Sequence, residues 1–332
     1  PARSAASPRV MLYMQIYAHR AAGVYLHIQC SEIILREVKA MEFLSYLISG
    51  ISLGSVYAII ALGYTMVYGI AKMLNFAHGD IIMIGGYVSF VAVSSLGLNP
   101  WIAMVIAMAV CTLLGVLIER FAYKPLRQAT SLAVLITAIG VSYLLQNAAL
   151  LIWGANPKVY TPIISGTLNL FGGKLSVSYI SLLTVAACII IMIALTVFTS
   201  KSKLGKAMRA CSEDKGAALL MGINVNRTIS LTFAIGSALA AIAGVLLCSS
   251  YPTLMPTTGS MPGIKAFTAA VFGGIGSIPG AFIGGILLGV IEALAKAYIS
   301  TQLSNSIVFA VLIIVLLVRP VGLLGKKISE KV

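Results

Sequence analysis

The sequence predicts an all-α polytopic membrane protein with eight or nine transmembrane helices, some of them short or broken. Of the 332 residues, 59% are hydrophobic and only 10% are charged, whereas soluble domains carry about 25% charged residues. Several windows of roughly 17–22 residues contain no charge, which is the length that a helix needs to cross about 30 Å of hydrocarbon. Lys and Arg cluster in the short breaks between these windows. The net charge of +14 therefore follows the positive-inside rule and does not indicate nucleic-acid binding.

The first forty residues differ in composition from the rest of the chain. Residues 1–40 contain five basic residues, and their apolar residues never run long enough to span a membrane. Met41 then opens a segment that leads directly into an apolar stretch. The codons AGG-GAG-GTN for Arg36-Glu37-Val38 would resemble a ribosome-binding site just upstream of Met41. We expect 1–40 to be translated upstream sequence and 41–332 to be the working domain; a genuine amphipathic arm is the alternative.

Nine apolar stretches follow Met41. They lie at residues 45–70, 81–97, 101–119, 131–153, 179–199, 229–250, 262–276, 279–298 and 304–318. The stretches 81–97 and 262–276 are short for a span, so each is expected to be tilted, broken or re-entrant within surrounding protein. Rows of small residues spaced by four, such as Gly50/Gly54 and Gly285/Gly289, predict close packing of helices inside the bundle.

The basic breaks predict the orientation of the chain. Lys and Arg concentrate at 120–127, 201–228 and 319–331, which the positive-inside rule assigns to the cytoplasm. Trp101 opens one stretch and Trp153 ends the next, so both are expected at the opposite interface, as in an aromatic belt. With nine crossings, the working domain starts outside and its C-terminus is cytoplasmic.

Several common site signatures are missing or incomplete. GGIGSIP at 273–279 lacks the third glycine of a dinucleotide fingerprint and lies between two apolar stretches, so it predicts a tight helical hairpin. The sequence contains no GxxxxGK[ST], and ATP hydrolysis by this chain is therefore not expected. The five cysteines have no metal-ligand spacing, and His78 is the only histidine after Met41. No metal site or bound cofactor is predicted.

The cytoplasmic loop 201–228 contains a pattern for a short helix. Ser212 is a predicted N-cap, with Glu213 and Asp214 in the first turn near the positive end of the helix dipole. Gly222 is the predicted C-terminal stop. Apolar side chains would be exposed on this helix unless a partner covers them: Ala217, Leu220 and Met221. We interpret the helix as a docking site for a cytosolic protein.

A polar step interrupts the apolar sequence at 73–87. Asn75, His78 and Asp80 lie between two apolar stretches, next to several glycines. A soluble loop does not fit, because the flanking segments are spans. The step therefore predicts a polar break at the beginning of a membrane segment, and the parity of the crossings assigns it to the cytoplasmic side.

Charged residues also occur inside the later apolar stretches. Glu292 and Lys296 are spaced i, i+4, in the favourable order for a helix ion pair. Charges within a membrane are candidates for function by default, although this pair is equally consistent with mutual neutralisation near an interface. Lys265 lies near the beginning of its stretch, where its side chain could extend to the membrane surface.

Three long segments resemble one family of transporters. They are GSVYAIIALGYTMVYGIAKMLNFAHGDIIMIGGYVSF (54–90), KLGKAMRACSEDKGAALLMGINVNRTISLTFAIGSALAAIAGVLL (203–247) and GIKAFTAAVFGGIGSIPGAFIGGILLGVIEAL (263–294). In this order they resemble the LivH-type permease subunit of bacterial branched-chain amino acid ABC importers. The resemblance covers 41–332 and none of 1–40.

The resemblance implies an inner-membrane permease subunit for leucine, isoleucine and valine. It implies four partners: a periplasmic binding protein, a second homologous permease subunit and two cytosolic ATPases that use the ATP. The helix in the 201–228 loop would then be the coupling helix, formed by Ser212, Glu213, Asp214, Ala217, Ala218, Leu220, Met221 and Gly222. In other importers of this kind a glycine follows a Glu-Ala-Ala triplet in this loop. Here Asp214 and Lys215 follow Glu213, so only the regional role is implied.

An aliphatic amino acid needs an apolar passage with a few groups for its ammonium and carboxylate. Broken helices offer such groups as free backbone N–H and C=O ends. Candidate side chains for the passage or its gate are Asn75, His78, Asp80, Lys265, Thr268 and Glu292. Alternatives are a urea or short-amide permease of the same family, an ion-coupled secondary transporter, and a channel.

Overall fold

The computed structural model describes residues 8–73, 75–170 and 175–325, with side chains from residue 39 onward. Within these residues the chain forms eleven α-helices: α1 Pro8–Ala71, α2 His78–Ser94, α3 Pro100–Ile118, α4 Ser131–Trp153, α5 Tyr179–Lys201, α6 Lys203–Glu213, α7 Lys215–Leu220, α8 Val225–Ser250, α9 Ser260–Gly273, α10 Ile278–Tyr298 and α11 Ser304–Val318. A π-helical turn, Glu119–Tyr123, extends α3. The predicted extension 1–40 lies partly outside the described residues, and its origin stays a prediction.

Each predicted apolar stretch contains a helix. Six helices in the described part of the chain are long and apolar enough to cross a membrane: the Lys39–Ala71 part of α1, α3 with its π-helical turn, α4, α5, α8 and α10. The three other predicted stretches form the shorter helices α2, α9 and α11. The short length of the stretches 81–97 and 262–276 was predicted. The similarly short length of α11, which has 15 residues, was not predicted. The prediction of an all-α polytopic membrane protein is thus confirmed, whereas the exact number of crossings stays a prediction.

Four short strands lie in the connections between helices. β1 (Lys158–Val159) pairs antiparallel with β4 (Thr253–Leu254), and β2 (Thr167–Leu170) pairs antiparallel with β3 (Leu175–Ser178). The strands follow α4 and α8, so they mark one end of the bundle, which we call the strand end.

Glycines set the distance between α1 and α10. A Cβ added at Gly54 would lie 2.7 Å from the Cα of Ile286, and one added at Gly50 would lie 2.9 Å from the Cα of Val290. Backbones can approach this closely only where no side chain intervenes. Lipid gives no hydrophobic drive for helix association, so close van der Waals packing holds such a pair together. The predicted interior role of the Gly50/Gly54 and Gly285/Gly289 rows is confirmed.

Helix α8 lies at the centre of the bundle, whereas α4 lies at its periphery. In the most apolar window of α8, 78% of the residues are buried, compared with 11% in α4. Gly236 and Gly244 of α8 approach the carbonyl oxygens of Gly63 in α1 and Ile82 in α2, respectively. The small residues of α8 therefore let two other helices pack against it.

The basic breaks meet at the other end of the bundle, which we call the basic end. Lys215 Nζ donates a 2.8 Å hydrogen bond to the carbonyl oxygen of Ala71, the last residue of α1. Nearby, the C-terminal segment returns to α9, where Leu323 N donates to Phe272 O at 2.9 Å. The loop with α6 and α7 and the segment after α11 thus share one end, as the charge pattern predicts.

Candidate functional site

The polar step leads into α2 inside the bundle. The imidazole of His78, the first residue of α2, lies in a gap left by Gly63 of α1 and Gly236 of α8. Gly63 lies about two turns before α1 ends, and Gly236 lies about three turns after α8 begins. His78 therefore lies inside the bundle, beside the half of α1 nearer the basic end, and its predicted position towards the cytoplasmic side stays a prediction. The chain re-enters the bundle before α2 begins, because two facing glycines leave room for the ring.

Buried hydrogen bonds hold the other two polar residues of the step. Tyr123 OH donates to Asn75 Oδ1 at 2.8 Å, and Gln146 Nε2 of α4 donates to Asp80 Oδ1 at 2.8 Å. Gln146 also lies 3.2 Å from the hydroxyl of Ser260 at the beginning of α9. Asp80 thus connects α2 to α4 and, through Gln146, to α9. Neither Tyr123 nor Gln146 could be recognised from the sequence, because each lies far from its partner along the chain.

Two nitrogen atoms of the step lack a hydrogen-bond partner within the part of the chain that the structure describes. Among the described residues, Asn75 Nδ2 and His78 Nε2 are buried without a hydrogen bond. Both residues line a small cavity of about 10 Å³ between α1, α2 and α9. That volume is close to the minimum that one water molecule needs, about 10–15 Å³. The site has room for a bridging water and not for an amino acid.

The short helices α2 and α9 begin side by side. A Cβ at Gly79 would lie 2.7 Å from the carbonyl oxygen of Gly259 and 3.4 Å from the Cα of Gly263. From this point α2 follows α8 towards the strand end, and α9 runs towards the basic end. Neither N-cap residue supplies a side-chain hydrogen bond. The positive ends of two helix dipoles therefore meet inside the bundle.

A second group of polar residues, the lysine–glutamate cluster, joins α1, α9 and α10. It consists of Tyr57, Lys265, Glu292 and Lys296. Glu292 Oε1 accepts from Lys265 Nζ at 2.7 Å and from Lys296 Nζ at 2.6 Å, and Glu292 Oε2 accepts from Tyr57 OH at 3.0 Å. The predicted Glu292–Lys296 ion pair is confirmed. The expectation that Lys265 extends to the surface is wrong, because its ammonium binds the buried carboxylate.

Thr268 does not join this cluster. Its side chain is buried, and its hydroxyl donates to the carbonyl oxygen of Ile264 within α9 at 3.0 Å. A role for Thr268 in the passage remains a prediction.

A cavity of about 230 Å³ lies beside the lysine–glutamate cluster. Lys265, Glu292 and Lys296 form its charged wall. Leu53 of α1 and Leu247 of α8 contribute apolar surface. The cavity combines a charged wall with apolar walls, which is the pattern of a site for a small amphipathic molecule.

A third polar group, the glutamate–arginine cluster, lies at the basic end. Glu119, whose side chain is 1% exposed, forms an ion pair with Arg127 Nη2 and accepts from Ser230 Oγ at 2.6 Å. Arg127 Nη1 donates to Asn226 Oδ1. The cluster thereby connects the π-helical turn to α8. Glu119 was not among the predicted site residues; an acidic residue at the end of an apolar stretch was the available signal.

The structure corrects the beginning of the predicted docking helix. Ser212 and Glu213 end α6, and Ser212 Oγ donates to the carbonyl oxygen of Arg209 at 2.7 Å. Asp214 is the N-cap of α7, where its Oδ1 accepts from the backbone N–H groups of Gly216 and Ala217 at 2.7 and 3.0 Å. Asp214 has the extended backbone that a cap requires, with φ −151° and ψ 117°, whereas Ser212 remains helical. The predicted stop at Gly222 is confirmed by its φ of +79°.

An apolar surface is exposed where α7 ends. Leu219, Leu220 and Met221, which we call the docking tip, are 64%, 89% and 82% exposed. Ala217 is exposed as well, whereas Ala218 is buried. Behind the tip, burial lowers the pKa of Lys215, and the nearby charges of Arg127 and Lys72 lower it further. Lys215 also donates to the carbonyl oxygen of Ala71, so the tip projects from a helix that is tied to α1.

Comparisons with known proteins agree on one family. The family model described as the branched-chain amino acid transport system permease component matches residues 46–317. LivH of Salmonella typhimurium, a high-affinity branched-chain amino acid transport system permease protein, is 48% identical over 305 residues, which cover 88% of this chain and 98% of that protein. BraD of Pseudomonas aeruginosa, which carries the same description, is 46% identical over 304 residues with the same coverage.

One solved structure also aligns with the chain. PsaBC from Streptococcus pneumoniae in complex with Fab covers 84% of this chain and 92% of that chain. The TM-score is 0.44 at 16% identity, which is too slight a likeness to carry an inference.

Proposed function

The chain belongs to the branched-chain amino acid transport permease family, and from this premise we propose that it imports leucine, isoleucine and valine as the permease subunit of an ATP-driven transporter. One observation carries the proposal: proteins described as branched-chain amino acid permeases are 46–48% identical to it along nearly their whole length. The chain is a transport subunit and not an enzyme. ATP hydrolysis belongs to partner subunits.

The docking tip is the proposed contact with a cytosolic ATPase. Three large apolar side chains at the end of a short helix lose water contact when a groove covers them, which favours binding by about 25 cal/mol for each Å² of apolar surface. Asp214 and Gly222 fix the beginning and end of this helix. Anchoring by Lys215 on α1 offers a direct mechanical route from the ATPase to the membrane helices. Among the coupling residues proposed from the sequence, Ala217, Leu220 and Met221 are exposed, whereas Ala218 is buried and Ser212 lies on α6.

The orientation follows from the charges at the basic end. The positive-inside rule assigns this end to the cytoplasm, and the strand end then faces the periplasm. The C-terminus is cytoplasmic, and the protein lies in the bacterial inner membrane. The docking tip is on the side where ATP is available, which supports this assignment.

The meeting point of α2 and α9 is the proposed centre of the translocation path. Half-helix N-termini inside a transporter offer partial positive charge to a substrate carboxylate. Asn75, His78 and Asp80 lie at the beginning of α2. Lys265 and Thr268 lie on α9, and Glu292 lies beside Lys265.

The partners are proposed from the family. A second homologous permease subunit completes the pore, two ATP-binding subunits drive it, and a periplasmic binding protein delivers the substrate. In the described residues, no group of three His, Cys, Asp or Glu side chains is arranged for a metal ion. We propose that the chain works without a bound cofactor.

The origin of residues 1–40 needs its own test. We propose that the working protein begins at Met41, five residues before the family model begins to match. The intact mass of the protein purified from its native membrane should correspond to residues 41–332. A chain that includes residues before Met41 would contradict this.

Leucine uptake by the reconstituted importer tests the proposed function. Vesicles with all subunits should accumulate leucine only when both ATP and the binding protein are present. Uptake by this subunit alone would favour a channel or an ion-coupled transporter. Urea or a short amide as the ligand of the cognate binding protein, with leucine rejected, would favour the alternative within the family.

A further inference from the structure

The lysine–glutamate cluster has one more positive charge than negative. Lys265 and Lys296 share the carboxylate of Glu292, and within the described part of the chain neither lysine forms a second ion pair. Tyr57 adds a hydroxyl group and no charge. A partly buried ammonium group without its own counter-ion is unfavourable. An anionic group that enters the adjacent cavity would therefore be stabilised there.

The cluster also has unused hydrogen-bonding capacity of both kinds. A carboxylate has about four acceptor positions, and an ammonium group has three donors. Glu292 uses three positions, two on Oε1 and one on Oε2. Among the described residues, one acceptor position on Oε2 remains, on the same carboxylate whose Oε1 binds Lys296. A molecule with a carboxylate and an ammonium group a few bonds apart complements this pair.

The remaining walls of the cavity match an aliphatic side chain. Leu53, Leu247, Met261 and Pro262 contribute apolar surface from three helices. The volume of about 230 Å³ is below the roughly 300–1,000 Å³ of sites for drug-sized ligands. The cavity therefore suits a molecule of amino-acid size.

Exposure identifies the lysine that a ligand meets first. The side chain of Lys296 is 39% exposed, whereas those of Lys265 and Glu292 are 7% and 1% exposed. Tyr251, Thr253 and Thr258, from the connection between α8 and α9, also line the cavity. This connection contains β4, so the cavity is near the strand end.

We propose that this cavity binds an aliphatic α-amino acid as a zwitterion, with its carboxylate on Lys296, its ammonium group on Glu292 Oε2, and its side chain against Leu53, Leu247 and Met261. The assignment rests on the proposed function and names the residues that first receive the substrate in the permease. Lys265 and Tyr57 are positioning residues that hold the Glu292 carboxylate. The outward location of the cavity matches delivery from the periplasmic side.

The test is the number of leucine molecules imported per ATP hydrolysed by the complete importer in vesicles. Lys296→Gln keeps a polar side chain and removes the charge, so this ratio should fall about tenfold or more, as expected for the loss of a charge-assisted hydrogen bond. Lys296→Arg should restore most of it. Lys158→Gln, at the same end but outside the cavity, is the matched control and should behave as the unchanged protein.

Each outcome separates the assignment from the function on which it rests. Normal leucine import by the unchanged importer, together with an unchanged ratio for Lys296→Gln, overturns the assignment alone. A ratio for Lys296→Arg as low as that for Lys296→Gln also overturns it, because charge would then not matter. Absence of leucine import by the unchanged importer, with all subunits assembled, overturns the proposed function and the assignment with it.

Discussion

The two buried charge clusters lie at opposite ends of the bundle and differ in charge balance. In the glutamate–arginine cluster, one carboxylate faces one guanidinium, and Ser230 and Asn226 satisfy further polar atoms. In the lysine–glutamate cluster, one carboxylate faces two ammonium groups. The first cluster is neutral, whereas the second carries a surplus positive charge.

The cavities beside the clusters show that space alone does not define a binding site. A cavity of about 310 Å³, lined in part by Leu204, Arg227 and Ser230, lies beside the glutamate–arginine cluster. It is larger than the cavity of about 230 Å³ at the other cluster. Its neighbouring carboxylate is already neutralised by Arg127. We therefore assign a structural role to the balanced cluster and a substrate role to the unbalanced one.

The largest expected effect is the loss of the single cation from the balanced cluster. Arg127→Met leaves Glu119 buried without a counter-ion, which should destabilise the fold by about 3–5 kcal/mol. The measurement is thermal unfolding of the purified importer in detergent. The control is Arg120→Met, at an exposed position in the π-helical turn that contains Glu119. Equal unfolding temperatures for the two variants would contradict the structural role of this cluster.

The matching substitution in the lysine–glutamate cluster should destabilise the fold less than Arg127→Met does. Lys265→Met removes one of two cations and leaves the Glu292–Lys296 pair, so we expect a loss of about 1–3 kcal/mol. Unfolding is measured under the same conditions, with the exposed Lys201→Met as control. A loss as large as that for Arg127→Met would mean that the second lysine gives no compensation.

The docking tip tests the role of the basic end in a different way. Gly222→Val forces a β-branched residue into a left-handed backbone conformation with φ +79°, which costs about 1–2 kcal/mol and should weaken ATPase association about tenfold. Membrane insertion should be normal. Co-purification of the ATPase subunits measures this, and Gly140→Ala, where an added Cβ meets nothing within 4 Å, is the control. Normal association of Gly222→Val would remove the case for this helix.

The smallest expected effect is a dependence of stability on pH that arises from Lys215. Burial lowers its pKa from the ordinary 10.5, so the unfolded chain binds more protons than the folded chain between the lowered pKa and 10.5. Stability should therefore rise slightly as pH increases through this window. Lys215→Met should remove that rise in thermal unfolding measurements. A fall in stability over the same window, specific to the chain with Lys215, would contradict the anchoring of α7.

Much of the helical architecture follows from the lengths of apolar segments, but the pairing of the polar residues does not. Each apolar stretch forms a helix because the membrane requires its backbone groups to be paired internally. In contrast, Tyr57 and Glu292 are 235 positions apart, and Asp80 and Gln146 are 66 apart. Only the three-dimensional packing brings these groups together. The i, i+4 pair Glu292–Lys296 was predictable because both residues lie on one helix.

Two residues compete for the N-cap position at the beginning of α7, and this explains why the predicted cap was wrong. Ser212 and Asp214 both have side chains that cap helices well. The sequence alone did not reveal that α6 continues through Glu213 and that the chain bends at Asp214. The residues that form the gap for His78, Gly63 and Gly236, could not be predicted either, because the packing of α8 against α1 brings them together.

Photo-crosslinking with a diazirine analogue of leucine tests the difference between the two ends most directly. The analogue keeps both charged groups, and the complete importer is illuminated with it in vesicles before peptide mass mapping. We predict adducts on Leu53, Leu247 or Met261, which excess leucine prevents and Lys296→Gln reduces. Adducts confined to the larger cavity, on Leu204 or its neighbours, would contradict the account.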